Sequence, residues 1–178
     1  MRTHIIFGGQ GFIGQNLALY LLDLGERVIS IDMNLWSIPY MDAFERHQNN
    51  FFSHTADIVK NSEQIMEFIN SKTLREEHNI VWHLAANSDI SAGANNIEID
   101  LKDTLLTTVN IVNICKEFNF KTLCFASSSA VYGAWAKDEY AYTEDDKTVP
   151  ISNYGAMKLA SEAVLSSASE HILEHVEV

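Results

Sequence analysis

Positive charge is scarce in this 178-residue sequence: 12 Lys and Arg stand against 24 Asp and Glu, for a net charge of −12. So acidic a chain lacks the general electrostatic footprint of a nucleic-acid binder. A few basic side chains and backbone N–H groups can still hold an anionic ligand locally. Cysteine is nearly absent. Cys115 falls in a helical pattern and Cys124 in a strand pattern, both among apolar neighbours. That predicts two buried thiols in a reducing cytoplasm. No C-x-x-C pair or Cys/His cluster points to a metal. No apolar run approaches a membrane span. The first residues read as the first strand, so no signal peptide is expected ahead of the fold. Internal repeats, low-complexity tracts and interdomain linkers are also missing. What is present is 47% hydrophobic, enough at this length for one domain over residues 1–178 with a sizeable core.

The chain is organised around its beginning, Thr3-His4-Ile5-Ile6-Phe7-Gly8-Gly9-Gln10-Gly11-Phe12-Ile13-Gly14. A short apolar run enters a glycine-rich turn, and a helical pattern follows in Leu17, Leu21 and Leu24. Gly8 lets the chain leave the strand in a conformation a Cβ would forbid. Gly11 opens the backbone to a pyrophosphate, and Gly14 lets the helix pack close to the strand. The helix start then offers free N–H groups and a positive dipole end to phosphates. A second strand, Arg27-Val28-Ile29-Ser30-Ile31, ends at Asp32, where an acid is placed to accept hydrogen bonds from an adenosine ribose. Asp32 would repel a 2′-phosphate, and no Arg or Lys follows in Met33-Asn34-Leu35. The expected cofactor is therefore NAD rather than NADP.

Strand and helix patterns alternate through the rest of the chain. Residues 33–50, with Trp36, Pro39 and Tyr40, read as a loop with one short helix. Strands are expected at 51–54, 79–84 and 120–126, and a sixth begins at 176–178. Helices are expected at 61–77, at 97–118 as one long amphipathic run, and at 152–171. Residues 137–147 read as a loop. This alternation implies right-handed crossovers and a doubly wound parallel sheet. Ligands bind such sheets at the C-terminal strand ends. Asp32, Asp57, Ala85-Ala86 and Ser127-Ser128-Ser129 all fall there.

Tyr154-Gly155-Ala156-Met157-Lys158 puts a phenol and an ammonium on one helix face. A phenol is a weak base near neutral pH because its ordinary pKa is about 10. A nearby ammonium is expected to lower that value and suit the group to proton transfer with a substrate hydroxyl. A serine hydroxyl from the fifth strand could hold the same substrate oxygen.

These residues resemble the extended short-chain dehydrogenase/reductases, specifically the NAD-dependent sugar-nucleotide epimerase/dehydratase group. Gly8-Gly9-Gln10-Gly11-Phe12-Ile13-Gly14 resembles that family's G-G-x-G-F-I-G, and His83-Leu84-Ala85-Ala86 its H-L-A-A. Ser127 to Gly133 resembles its S-S-S-A-x-V-Y-G segment, and Tyr154 with Lys158 its catalytic pair. The resemblance implies a Rossmann fold with NAD bound by Gly8, Gly11, Phe12, Ile13, Gly14, Asp32, Asp57, Ile58, Leu84, Ala85 and Ala86, together with Tyr154 and Lys158. It makes Ser128, Tyr154 and Lys158 catalytic. Asp57-Ile58 falls on the adenine-contacting pair, and Tyr132, which has no lysine at helical spacing, is left to packing.

The resemblance also implies a substrate, a UDP- or dTDP-linked sugar. Tyr154 would take the proton of the sugar 4-hydroxyl while hydride passes from C4 to NAD, and the hydride would return to the other face of the turned ketone. Dehydratase relatives need an extra acid after the catalytic serine, whereas this chain has Ser129 and Ala130 there, which favours epimerisation. A 4,6-dehydratase or related oxidoreductase, and a non-catalytic NAD-binding module, remain the alternatives. Thr104 and Thr107 stand where the family often has Asn and Gly. Members usually carry a C-terminal substrate lobe, absent here, so the sequence reads as an N-terminal part cut at the start of strand six. Such a part is expected to bind NAD without turnover, and the full-length protein to be a cytoplasmic homodimer.

Overall fold

A computed structural model describes residues 1–35, 38–72, 79–133 and 141–178. Trp36 and the expected stretches 73–77 and 137–140 lie outside the described residues. Six strands form one sheet: β1 (Thr3–Phe7), β2 (Arg27–Asp32), β3 (Phe51–Thr55), β4 (Asn79–His83), β5 (Thr122–Phe125) and β6 (His175–Glu177). The order is β3-β2-β1-β4-β5-β6, and every pairing is parallel. This is the doubly wound order, whose topological switch lies between β1 and β4.

Helices cover both faces. They are α1 (Phe12–Asp23), α2 (Ile38–Glu45), α3 (Ser62–Lys72), α4 (Ile90–Asn95), α5 (Ile97–Asp100), α6 (Thr107–Phe118) and α7 (Asn153–Ser169). The period-2 alternation of β1 divides its side chains between two cores. Ile5 and Phe7 face one core, built with Ile65 and Ile69 of α3, Ile111 and Ile114 of α6, and Leu165 of α7. Ile6 faces the other, with Ala18, Leu21 and Leu22 of α1 and Phe44 of α2. Burial on both sides anchors β1 at the sheet centre, so the loop that follows it is held on a rigid base.

The structure departs from the expected elements in two places. The run 97–118 is not one uniform helix. Between α5 and α6, residues Leu101–Leu106 form a π-helical turn, and the Thr107 hydroxyl donates to the Lys102 carbonyl at 3.2 Å. The widened turn presents Asp103 and Thr107 to the cleft described below. The segment before it carries a helix, α4, that apolar spacing did not reveal. Asp89 caps α4 through the Ala92 N–H at 2.9 Å, and Asn96 caps α5 through the Glu98 N–H at 3.0 Å. Short capped turns of this kind are nucleated by side-chain hydrogen bonds rather than by an apolar stripe. The two thiols also differ. Cys115 is buried as expected, whereas Cys124 is only partly buried. Burial pushes the Cys115 thiol up to about 12.

Candidate active site

The glycine turn sits on the topological switch. Gly8 has φ +87°, a backbone state in which L side chains are strained. A Cβ there would lie 2.7 Å from the Ala85 nitrogen, so the ends of β1 and β4 close on one another only over glycine. Its N–H donates to the Ile31 carbonyl at 2.8 Å, which ties the turn to β2. Gly14 serves the turn itself: a Cβ would lie 2.3 Å from the Gly8 carbonyl oxygen. The close contact expected between helix and strand is thus a contact between helix and loop. At the start of α1, Gly11 supplies no side-chain cap, and no acid occupies the first turn. The leading N–H groups of α1 are left to be satisfied from outside the helix.

A cleft of about 410 Å³ opens at these strand ends, lined by Gly8, Gly11, Asp32, Asp57, Ile58, Leu84, Ala85 and Ala86 among others. Its electrostatics are acidic. Asp32 is buried, and its Oδ2 accepts the Gln10 N–H at 3.0 Å. Its Oδ1 accepts the Asn34 N–H at 2.9 Å. Asp32 therefore organises the glycine turn as well as facing the cleft. Asp57 accepts from the Val59 N–H at 2.9 Å and from Lys102 Nζ at 3.0 Å. Burial works against its charge, but the Lys102 hydrogen bond and the Val59 and Lys60 amides outweigh it and hold the carboxyl below its ordinary value. Asp103 adds a third carboxylate to the lining, and no Lys or Arg belongs to it among the described residues.

A second cluster forms beyond β5, where the strand end meets α7. Ser128 caps a 3₁₀ turn, Ser129–Tyr132, its Oγ accepting the Ala130 N–H at 3.2 Å. The Ser128 side chain also acts on Tyr154, favouring its ionised form. Lys158 is 2% exposed. Its ammonium donates to the Ala126 carbonyl at 2.6 Å, lies 4.5 Å from the Phe125 ring centre and 5.8 Å from that of Tyr154. Burial lowers its pKa to about 8, while the charge of Glu162 pulls the other way.

The expected acidification of Tyr154 is not found. Burial raises the phenol above its ordinary value, the Ser128 side chain opposes that, and the charge of Asp100 adds to the rise. The reason is geometric: the Lys158 ammonium is spent on the Ala126 carbonyl, and the nearest anionic influence, Asp100, has the wrong sign to favour a phenolate.

Behind the cluster, His83 is fully buried with its Nε2 2.8 Å from the Thr108 Oγ1. Thr108 Oγ1 is in turn 2.9 Å from Ser161 Oγ of α7. Burial, with a smaller push from Lys158, lowers the His83 pKa to about 3.

The expected residues therefore fall into two groups. Gly8, Gly11, Asp32, Asp57, Ile58, Leu84, Ala85 and Ala86 share the cleft, whereas Ser128, Tyr154 and Lys158 meet at β5 and α7. Phe12 and Ile13 lie outside the lining, 82% and 59% exposed at the start of α1, and Gly14 is buried behind the turn. Tyr132 stacks on Tyr142 at 5.0 Å, consistent with packing. Asn34, Asn87, Ser88, Asp103 and Thr107 also line the cleft. Asn87 and Ser88 were within reach of the strand-end rule that picked out Ala85-Ala86. Asp103 and Lys102 carried no local signal, because they come from a turn 45 residues beyond Asp57. Thr104, 1% exposed, accepts the Asn87 N–H at 3.2 Å through its Oγ1, which is the local packing consequence of a threonine at that place.

A UDP-glucose 4-epimerase from Brucella ovis, solved in complex with NAD, superposes with a TM-score of 0.83 at 20% identity, over 99% of this chain and 51% of that one. A UDP-glucuronate 4-epimerase from Thermodesulfobacterium geofontis is 28% identical over 184 residues, 97% of this chain and 52% of that protein. A UDP-glucose 4-epimerase from Cyamopsis tetragonoloba is 29% identical over 171 residues, 92% of this chain and 46% of that protein. The chain thus spans about half the length of these curated relatives. No described helix is long and apolar enough to cross a membrane. The family model described as GDP-mannose 4,6 dehydratase matches residues 5–176, nearly the whole doubly wound sheet, and the chain belongs to that family of sugar-nucleotide epimerases and dehydratases.

Proposed function

We propose that this chain is the NAD-binding part of a nucleotide-sugar 4-epimerase, with Ser128, Tyr154 and Lys158 as its catalytic group. The observation that carries the reading is the meeting of Ser128, Tyr154 and Lys158 where β5 ends against α7, with the Lys158 ammonium 5.8 Å from the Tyr154 ring centre, at the same C-terminal end of the sheet as the glycine cleft. The cleft fits the cofactor by its own chemistry. Gly8 and Gly11 leave open backbone where side chains would stand, α1 starts without a cap, and Asp32 and Asp57 present carboxylate oxygens rather than cations. NAD, when bound, would supply a hydride acceptor and a positive charge. Tyr154 exchanges a proton with the sugar 4-hydroxyl, and Ser128 steadies that oxygen. Lys158 holds the strand end through Ala126 and places a buried positive charge behind Tyr154. The substrate class follows the relatives, whose names include UDP-glucose and UDP-glucuronate epimerases. The full-length protein is expected to pair as a homodimer.

The test is incubation of the full-length protein with NAD and a panel of UDP- and dTDP-sugars, with product analysis. A 4-epimer is expected. Tyr154→Phe should lower turnover by about 10²- to 10⁴-fold, the usual worth of a positioned proton-transfer group, and leave NAD affinity within a few-fold. A 4-keto-6-deoxy product, or unimpaired turnover by Tyr154→Phe, would sink the reading.

A further inference from the structure

Two successive residues past β5, just ahead of Ser128, are each gripped by α7. The Ala126 carbonyl accepts from Lys158 at 2.6 Å. The Ser127 hydroxyl donates to Glu162 Oε1. Tyr154, Lys158 and Glu162 are spaced four apart and so lie along one face of α7. One of these grips comes from Lys158. The other comes from a half-buried carboxylate one turn further on, which accepts the Ser127 hydroxyl as a charged acceptor, the stronger kind of hydrogen bond.

We propose that Glu162 is a positioning residue of this site, tying Ser127 to α7 and keeping the Lys158 ammonium charged and seated on Ala126. The proposal rests on the epimerase reading for the meaning of the site, but not for its physical content. Lys158 is enclosed by groups that give it little electrostatic support. From β4, His83 faces it and is neutral near pH 7, its pKa being about 3. From β5 and the residue after it come the Phe125 ring and the Ala126 carbonyl, neither of them charged. On α7, Tyr154 is a neutral phenol, and Asp100 of α5 acts on Tyr154. Glu162 is the anionic group acting on Lys158, and its charge opposes the burial that lowers the lysine pKa to about 8. A lysine balanced there changes charge within the working pH range, so a neighbouring carboxylate on the same face of α7 shifts the balance toward the ammonium. The Ser127 bond serves the other end: Ser128, next in the chain, is displaced if Ser127 swings free.

The test titrates Lys158 by NMR in full-length protein carrying ε-¹³C lysine, with Lys158→Arg assigning the signal. Glu162→Gln keeps the side-chain length and an acceptor for Ser127 but removes the charge. It should move the Lys158 midpoint down by about one unit. Ser127→Ala removes the bond but leaves the charge, so the midpoint should stay while kcat falls on the order of tenfold and KM changes little, the mark of a displaced reacting group. If Glu162→Gln does not fold, Glu162→Asp draws the carboxylate back by one methylene and should give a smaller downward move. An unchanged Lys158 midpoint in the folded Glu162 variant overturns the proposal, as does full kcat in Ser127→Ala. Absence of turnover in the wild-type protein would sink the epimerase reading alone, because the titration still decides whether Glu162 sets the state of Lys158.

Discussion

The two halves of the site are made of different material. The cleft at β1, β2 and β3 is built from backbone: positive-φ glycine, uncapped helix N–H groups, and carboxylates whose oxygens already accept main-chain N–H groups. The cluster at β5 and α7 is built from side chains buried enough to displace their titrations, Lys158 to about 8 and His83 to about 3. A backbone site depends on sterics and tolerates little change of shape. A side-chain site depends on charge in a poorly solvated place and responds to pH.

The comparison breaks first at Gly8. Gly8→Ala must place a Cβ 2.7 Å from the Ala85 nitrogen at φ +87°. It should cost on the order of 3 kcal/mol, through strain and displaced backbone together. Chemical denaturation would read this loss, and a cost under about 1 kcal/mol would mean the β1–β4 closure is loose.

Next in size is Asp32→Ala. It should weaken NAD by about 2 kcal/mol, the worth of a hydrogen bond to a charged group. Because Asp32 also holds Gln10 and Asn34, stability should fall with affinity. NAD should remain preferred over NADP in the wild-type protein, since the lining carries carboxylates and no described cation. Calorimetric titration with both cofactors checks this, and equal affinities would contradict it.

The side-chain half should announce itself in acid. The pKa of His83 is depressed from 6.5 to about 3, so the unfolded chain takes up a proton that the folded one refuses. Its contribution to stability is full above 6.5 and falls away toward about 3, at up to about 1.4 kcal/mol per pH unit. His4, whose pKa is also lowered chiefly by burial, adds to the same trend. Melting curves between pH 7 and 5 should therefore slope downward, and His83→Gln should flatten them. An unaltered slope in that variant would show that His83 takes no part.

The smallest expected effect is a control for the first. Gly25 also has positive φ, +80°, but nothing stands within 4 Å of its would-be Cβ. Gly25→Ala should cost only about 1 kcal/mol of left-handed strain. A cost equal to that of Gly8→Ala would mean that conformation, and not close approach, governs both.

The cleft was largely legible in the sequence because its parts are local. Gly8, Gly11 and Gly14 lie within a single turn, and Asp32, Asp57 and Ala85-Ala86 each terminate a recognisable strand. The structure adds what one-dimensional spacing does not carry: Gly14 touching the Gly8 carbonyl, and Lys102 reaching Asp57 from a π-helical turn. The grouping of Ser128, Tyr154 and Lys158 was legible in the sequence, whereas their electrostatics were not. Spacing placed Lys158 beside Tyr154 on a helix, and from that its charge was expected to serve the phenol. In the fold the ammonium turns to Ala126, and burial governs both groups.

What the sequence determined by itself is the order of strands and helices and the residues at their ends. Period-2 and helical periodicities encode which face is apolar, and glycine marks where a Cβ cannot stand. What only the tertiary structure decided is the state of the side chains once enclosed. The depressed pKa values of His83 and Lys158, the raised one of Tyr154, and the grip of Glu162 on Ser127 arise from neighbours far apart in the chain. Desolvation and hydrogen-bond geometry depend on three-dimensional packing, and residue spacing along the chain does not specify them.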